Sequence, residues 1–241
     1  LEFTTWKEVY FYIAIICIVI MFPIALSLKN NFAKNLSTND LGSKANTLKN
    51  LSPNRLQILL ILAGVGCCLA MAMPQVHIVA YCVGLGYGPA IGAEMLSLML
   101  ACGVISRITF GVCADRLGGF YTLIISSTLQ MLSLFLFLPF NGMVSLYVVS
   151  AIFGLSQGGI VPSYTIVVRE FLPAHEAGER IGIVLMLTIF GMAIGGWMSG
   201  WIFDQSGSYQ IAFLNGILWN VFNLTILIWL FTRMRKVSAE V

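Results

Sequence analysis

The chain has 241 residues, of which 59% are hydrophobic and 10% charged, with a formal net charge of +3. Soluble domains carry roughly 25% charged residues, so this composition excludes a water-soluble domain built on one apolar core. No basic run interleaved with aromatics is present, so nothing points to a nucleic-acid partner.

A helix needs about 20 apolar residues to cross a bilayer, and seven stretches meet that length. The first is Val9–Leu28. The chain starts at Leu1 and this run has no small-residue cleavage site behind it, so it reads as a span, not a signal peptide. We expect an upstream part to be missing. A polar stretch rich in Asn, Ser and Lys follows at Lys29–Arg55 and reads as a solvated linker. The second span is Leu56–Cys82 and carries His77. The third, Pro89–Ser106, carries Glu94; the fourth is Phe120–Phe140. The fifth, Val144–Val168, is expected to kink at Pro162. A charged segment with Arg169, Glu170, His175, Glu176, Glu179 and Arg180 precedes the sixth span, Ile181–Phe203. The last span is Ile211–Thr232, followed by Arg233, Arg235, Lys236 and a short polar tail. The fold class is therefore all-α, a polytopic membrane helix bundle. A barrel would alternate in pieces of about ten residues, and no such pattern occurs.

The six cysteines lie in or beside apolar runs without metal-ligand spacing and read as small apolar filler. Neither a metal nor another cofactor is expected, and no catalytic set is apparent. Gly191, Gly195, Gly196 and Gly200 form small-residue repeats that suit close helix packing rather than dimerisation.

Positive charge sets the orientation. With the linker cytoplasmic and the spans alternating, only Lys7 of the thirteen basic residues falls outside. Tyr87, Tyr121, Tyr147, Trp201, Tyr209 and Trp229 then lie near span ends, at the interfaces. Two segments echo each other. Gly111, Asp115 and Gly118 are followed by Tyr121; Gly200, Asp204 and Gly207 by Tyr209. An odd number of spans separates them, so they fall on opposite sides of the membrane. An inverted repeat of three helices plus three would leave this trace.

The string Arg107-x-x-x-Gly111-x-x-x-Asp115-Arg116-x-Gly118-Gly119, expected between the third and fourth spans, resembles the signature loop of the major facilitator superfamily. Its glycines permit a tight reversal, and Asp115 is expected to meet a helix amino terminus. The resemblance implies twelve helices in two six-helix halves, a substrate site between them, and a cytoplasmic gating role for Gly111, Asp115, Arg116, Gly118 and Gly119. Residues 1–28 would end the amino-terminal half, 29–55 would be the central linker, 56–232 the carboxy-terminal half and 233–241 a cytoplasmic tail. The missing amino-terminal half then becomes a required partner, beside the lipid bilayer.

A narrower resemblance is to the monocarboxylate transporter family and the oxalate–formate antiporter group. Pro74-Gln75-Val76-His77-Ile78 is similar to a Pro-x-Val-His-Leu string of their seventh helices. Met95-Leu96-Ser97 with Arg107 and Gly111 resembles the eighth, Phe153-Gly154-Leu155-Ser156-x-Gly158 the tenth, and Ile181-Gly182-x-Val184-Leu185 the eleventh. This chain departs from that family in carrying Gly103 where an Asp often stands one turn before the Arg, so a proton relay through that pair is not carried over.

Ionisable residues inside spans are costly and face cavities or partners. Arg107 is expected to present its guanidinium fork to a carboxylate substrate, against the alternative of snorkelling to the cytoplasmic interface. His77 and Glu94 lie at similar outer depth on neighbouring helices and are expected to approach each other or share a polar cavity, which makes them the proton-coupling candidates. The charged segment after the fifth span is expected either to make gating ion pairs with Asp115 and its loop or to remain a solvated loop. The function implied is secondary active transport of a small organic anion, a monocarboxylate first, by alternating access at the inner (plasma) membrane, as symporter or antiporter. The alternatives are a major facilitator exporter of another small molecule and a seven-helix receptor. The last span lacks a Schiff-base lysine, which counts against a retinal pigment, and no paired carboxylates or nucleophile–base set suggests an enzyme.

Overall fold

The computed structural model describes residues 6–31 and 52–239. The chain divides into two compact units, Leu1–Asp40 and Leu41–Val241. In the first, α1 (Trp6–Asn31) is a 26-residue helix, and its side chains from Phe11 to Pro23 are exposed. Most of the expected linker, residues 32–51 with Lys34, Lys44 and Lys49, lies outside the described residues.

The second unit holds α2 (Pro53–Gly84), α3 (Pro89–Leu117), α4 (Gly119–Leu136), α5 (Met143–Gln157), α6 (Ile160–Phe171), α7 (Ala177–Ser206) and α8 (Tyr209–Ala239). A 3-10 turn at Ala174–Glu176 links α6 to α7. Among the described residues, six segments are long and apolar enough to cross a membrane, with α5 and α6 together counting as one. Helix α2 is the hub and packs on α7, α8 and α3. Its most apolar stretch is 72% buried, whereas the corresponding figure is 17% for α3 and 28% for α7. Helices α3 and α7 therefore turn most of their surface away from the unit's core.

The core is aromatic. Phe137 stacks on Phe213 at 4.8 Å, and Phe153 meets Phe137 edge-on at 6.0 Å. Between these rings run buried polar ties. Gln130 accepts from the Cys67 thiol at 3.1 Å and donates to the Cys67 carbonyl at 3.2 Å. Tyr164 donates to Asn223 Oδ1 at 3.0 Å. Interhelical hydrogen bonds in lipid contribute roughly 0.6–2 kcal/mol each. Cys67 is thus a bonding partner rather than filler alone.

Close backbone approach sets the spacing of two helix pairs. A Cβ on Gly195 would lie 2.6 Å from the Leu69 carbonyl oxygen, so the α7 glycines pack onto α2, within the unit. A Cβ on Gly154 would lie 2.2 Å from the Met99 carbonyl oxygen, and one on Gly158 2.4 Å from that of Gly103. The glycines of α5 therefore hold it against α3.

Two helix boundaries differ from the sequence reading. The third span was expected to stop at Ser106, but α3 continues through Arg107, Gly111, Asp115 and Arg116 to Leu117. Charged residues lower the hydropathy of this stretch without breaking a helix, and Arg116 in the last turn suits the helix dipole. The chain reverses only at Gly118, whose φ of 88° favours glycine. The fifth span was expected to be continuous with a kink at Pro162; it is one span, in which the regular helix is interrupted between α5 and α6 at Gly158–Gly159, upstream of the proline. A proline ring clashes with the carbonyl four residues earlier, here that of Gly158, so Pro162 sits safely in the first turn of α6 and the break falls upstream.

Candidate substrate site and gates

Helix α3 carries Arg107 one turn beyond Gly103. Gly103 is buried against α5: a Cβ there would lie 3.8 Å from the Gly154 carbonyl oxygen and 3.9 Å from Gln157 Nε2. Ser106 donates to the Leu155 carbonyl at 2.6 Å and locks the same face. Arg107 lies at the edge of that contact. It is exposed and, among the described residues, has no hydrogen bond or ion pair. A guanidinium there keeps five donors in a planar fork available to a carboxylate.

Sequence reasoning missed a polar link beside this arginine. Gln75 of α2 donates from Nε2 to Oε1 of Gln157, the last residue of α5, at 2.8 Å. Two glutamines inside apolar helices were a readable signal, since amides in lipid need partners.

The structure does not bring His77 and Glu94 together. His77 Nε2 donates to the Gly196 carbonyl of α7 at 2.8 Å, and its ring lies 5.7 Å from that of Tyr209. Glu94 accepts from Tyr147 of α5 at 2.5 Å. Among the described residues, no hydrogen bond or ion pair joins the two. The depth argument holds, but the angle around each helix defeats it. Gly92 packs on Val79, where an added Cβ would lie 2.7 Å from the Val79 Cα. His77 is two residues before Val79 and Glu94 two after Gly92. At about 100° per residue, each is rotated some 200° from the α2–α3 contact.

The signature string is the end of α3, a one-residue turn and the start of α4. Asp115 and Arg116 are exposed in the last turn of α3, Gly118 is the connector, and Gly119 begins α4. Asp115 was expected to meet a helix amino terminus. Instead Glu170 fills that place, accepting from the Gly119 amide at 3.4 Å. Gly119 is tight against α6, where a Cβ would lie 2.7 Å from Ile166 Cγ2. The echo segment behaves alike: Gly200 and Asp204 belong to α7, and Gly207, with a φ of 66°, ends that helix.

Arg180 and Glu176 of the charged segment make a clasp at α2 rather than a bridge to Asp115. Arg180, only 12% exposed, donates from Nε to Glu176 Oε2 at 2.7 Å and from Nη2 to Asn54 Oδ1 at 3.0 Å. Its Nη1 donates to Gln57 Oε1. Together with Glu179 and Ile183 these residues line a 280 Å³ cavity. The hydrogen bond from Arg180 holds the Glu176 carboxyl below the ordinary glutamate range, with partial desolvation opposing it and the arginine charge assisting it. A depressed folded-state pKa stabilises above the unfolded value of about 4.3 and loses that effect as pH falls through the folded value. We expect the melting temperature of the wild type to fall more steeply than that of Glu176→Gln as pH is lowered from 5 to 3; parallel curves in differential scanning fluorimetry would show the clasp to be inert.

The family model of the Major Facilitator Superfamily matches residues 1–178 and, in a second match, 95–241. The chain belongs to the major facilitator superfamily. It is a multi-pass membrane protein, and its helical bundle is that of this superfamily. Within the superfamily it is 28% identical over 144 residues to monocarboxylate transporter 13 of Rattus norvegicus, covering 59% of this chain and 34% of the relative. It is 30% identical over 136 residues to a gallate transporter of Pseudomonas putida, covering 55% of this chain and 28% of the relative. A probable anion transporter 5 of Arabidopsis thaliana is 28% identical over 120 residues, 48% of this chain and 28% of the relative. The match thus spans about a third of the length of these major facilitator proteins.

Proposed function

We propose that this chain is one half, with a preceding helix and linker, of a secondary active transporter that moves a small organic anion by alternating access. A monocarboxylate is the substrate class we favour. The observation that carries this reading is Arg107: an exposed guanidinium without a partner among the described residues, on the least buried of the six spans, beside a broken helix. A charge at that depth is costly unless it meets a cavity or a counter-ion, and a substrate carboxylate supplies one. The names of the relatives, a monocarboxylate, a gallate and an anion transporter, agree with an anionic substrate. The other wall of the cavity would come from an amino-terminal six-helix half.

The distribution of Lys and Arg supports an orientation with residues 29–55 and the carboxy terminus in the cytoplasm of a cell whose inner (plasma) membrane holds the protein. Exposed Asp115 and Arg116 at the end of α3, with Gly111 before them and the Gly118–Gly119 turn after, would then meet the opposite half at the cytoplasmic gate.

We assign proton coupling to His77 without Glu94. Donation from Nε2 to Gly196 leaves Nδ1 to take up a proton without breaking the bond. Glu94 is instead an outer tie from α3 to Tyr147. His77→Gln keeps an amide donor for Gly196 and removes the imidazole, so we expect uptake to lose most of its dependence on pH between 6 and 8. An unaltered pH profile would remove His77 from the mechanism.

A screen of labelled small acids against proteoliposomes holding the intact transporter tests the substrate class. Saturable uptake of at least one monocarboxylate is expected. Uptake confined to neutral or cationic compounds would overturn the reading.

A further inference from the structure

The α5–α6 break is where three helices bring polar groups to one level. Gln157 ends α5 and is 5% exposed, a primary amide almost wholly removed from solvent. Its Oε1 accepts from Gln75 Nε2 at 2.8 Å. Its Nε2 has no acceptor among the described residues and is not one of their fully buried unpaired polar atoms, so the small part of the side chain left accessible includes the donor nitrogen. That nitrogen is 3.9 Å from where a Cβ of Gly103 would be. Glycine at 103 leaves it uncovered on the α3 side, and Arg107 follows on the same helix one turn later. The Gln75 bond also decides which way the amide faces. With Oε1 turned to α2, the donor nitrogen must turn toward α3.

We infer that Gln157 is the second donor of the anion site, giving a neutral hydrogen bond to the carboxylate that Arg107 holds, and that Gln75 is the positioning residue that fixes its orientation. The inference rests on the proposed carboxylate site. A carboxylate has about four lone-pair directions, more than one guanidinium edge can fill, so a second donor completes its coordination. An uncharged donor does so without adding a second charge that lipid would penalise. The position at a helix break matters as well. Packing of Gly154 and Gly158 on α3 sets the close approach of the two helical segments that carry the donors. A site that depends on a fixed donor also discriminates: analogues that leave it unpaired bind far more weakly.

A competing account makes the pair only a tie between α2 and α5. The two are separated by KM and abundance measured together on the intact transporter in proteoliposomes with a labelled monocarboxylate. Gln157→Leu has similar volume and no donor; it should raise KM at least 10-fold with transporter abundance within twofold of wild type. Gln75→Leu should raise KM less, about 3-fold, because the donor survives but loses its guide. Gln157→Glu keeps an acceptor for Gln75 and should abolish uptake at pH 8 by presenting negative charge to the anion. Unchanged KM in Gln157→Leu, or wild-type uptake in Gln157→Glu at pH 8, overturns the inference. A fall in abundance with unchanged KM in both leucine variants also overturns it, in favour of the tie. Should the wild type take up no carboxylate at all, it is the broader functional reading that fails, and this result is visible before any variant is made.

Discussion

Arg107→Ala in the intact transporter is expected to weaken carboxylate uptake by about 100-fold or more. The expectation follows from charge and geometry. A charge-assisted bidentate contact in a site shielded from water contributes about 3 kcal/mol, and 1.4 kcal/mol is tenfold in affinity. Arg107→Lys should be intermediate, with KM raised roughly tenfold. It keeps the positive charge and loses the planar fork that matches two carboxylate oxygens. The order Arg, Lys, Ala separates anchoring from snorkelling. A side chain that only reaches for the interface would tolerate lysine fully, because lysine snorkels as well. Arg107 has no protein partner among the described residues, so its removal strands no other described charge. Initial uptake rates over a range of substrate concentration read the effect, and wild-type KM in Arg107→Ala would end the anchor role.

The second large effect is expected at Gly154. A single added methyl would put carbon 2.2 Å from the Met99 carbonyl oxygen and 2.8 Å from Cys102 Cβ. The first neighbour is backbone, which cannot rotate out of the way. The two helices would have to separate along their contact, undoing the Ser106–Leu155 hydrogen bond at 2.6 Å and the fit of Gly158. Overpacking costs typically 1–3 kcal/mol, and a backbone collision of this depth belongs at the upper end, about 3 kcal/mol. Gly154→Ala should therefore cut the yield of folded transporter severalfold in fluorescence-detected size-exclusion chromatography. Gly182→Ala is the matched control, because nothing lies within 4 Å of its added Cβ. Equal yields for the two variants would contradict the α3–α5 packing.

These sites differ in how far the sequence announced them. Spans such as Leu56–Cys82 and Ile181–Phe203 were legible because long apolar runs have few structural options in a bilayer. The end of α3 was not. Arg107, Asp115 and Arg116 mark a loop on any hydropathy measure, yet none of them breaks a helix, and only Gly118 does. Pro162 was visible, but its effect acts four residues upstream, at Gly158. Depth along a helix was readable for His77 and Glu94, and rotation about the helix axis was not. Rotation depends on which faces pack, and that was decided by Gly92 closing on Val79. That Gln75 and Gln157 each need a partner was readable, but their pairing was not, because they lie far apart in sequence and only the meeting of α2 and α5 puts them in register. Charge told more at the membrane surface. Of the charges expected to reach Asp115 and its loop, Arg180 turns instead to Glu176 and to Asn54 and Gln57 at the start of α2, while Glu170 reaches the loop at the Gly119 amide.

We propose that this chain, as part of a major facilitator transporter, recognises a carboxylate. Competition by an acid and by its uncharged amide tests it most directly. The two share shape and differ in the charge that Arg107 would read. With the intact transporter in proteoliposomes and a labelled monocarboxylate, the unlabelled acid is expected to block uptake and the amide to leave it unchanged at the same concentration. Equal inhibition by acid and amide would contradict the account.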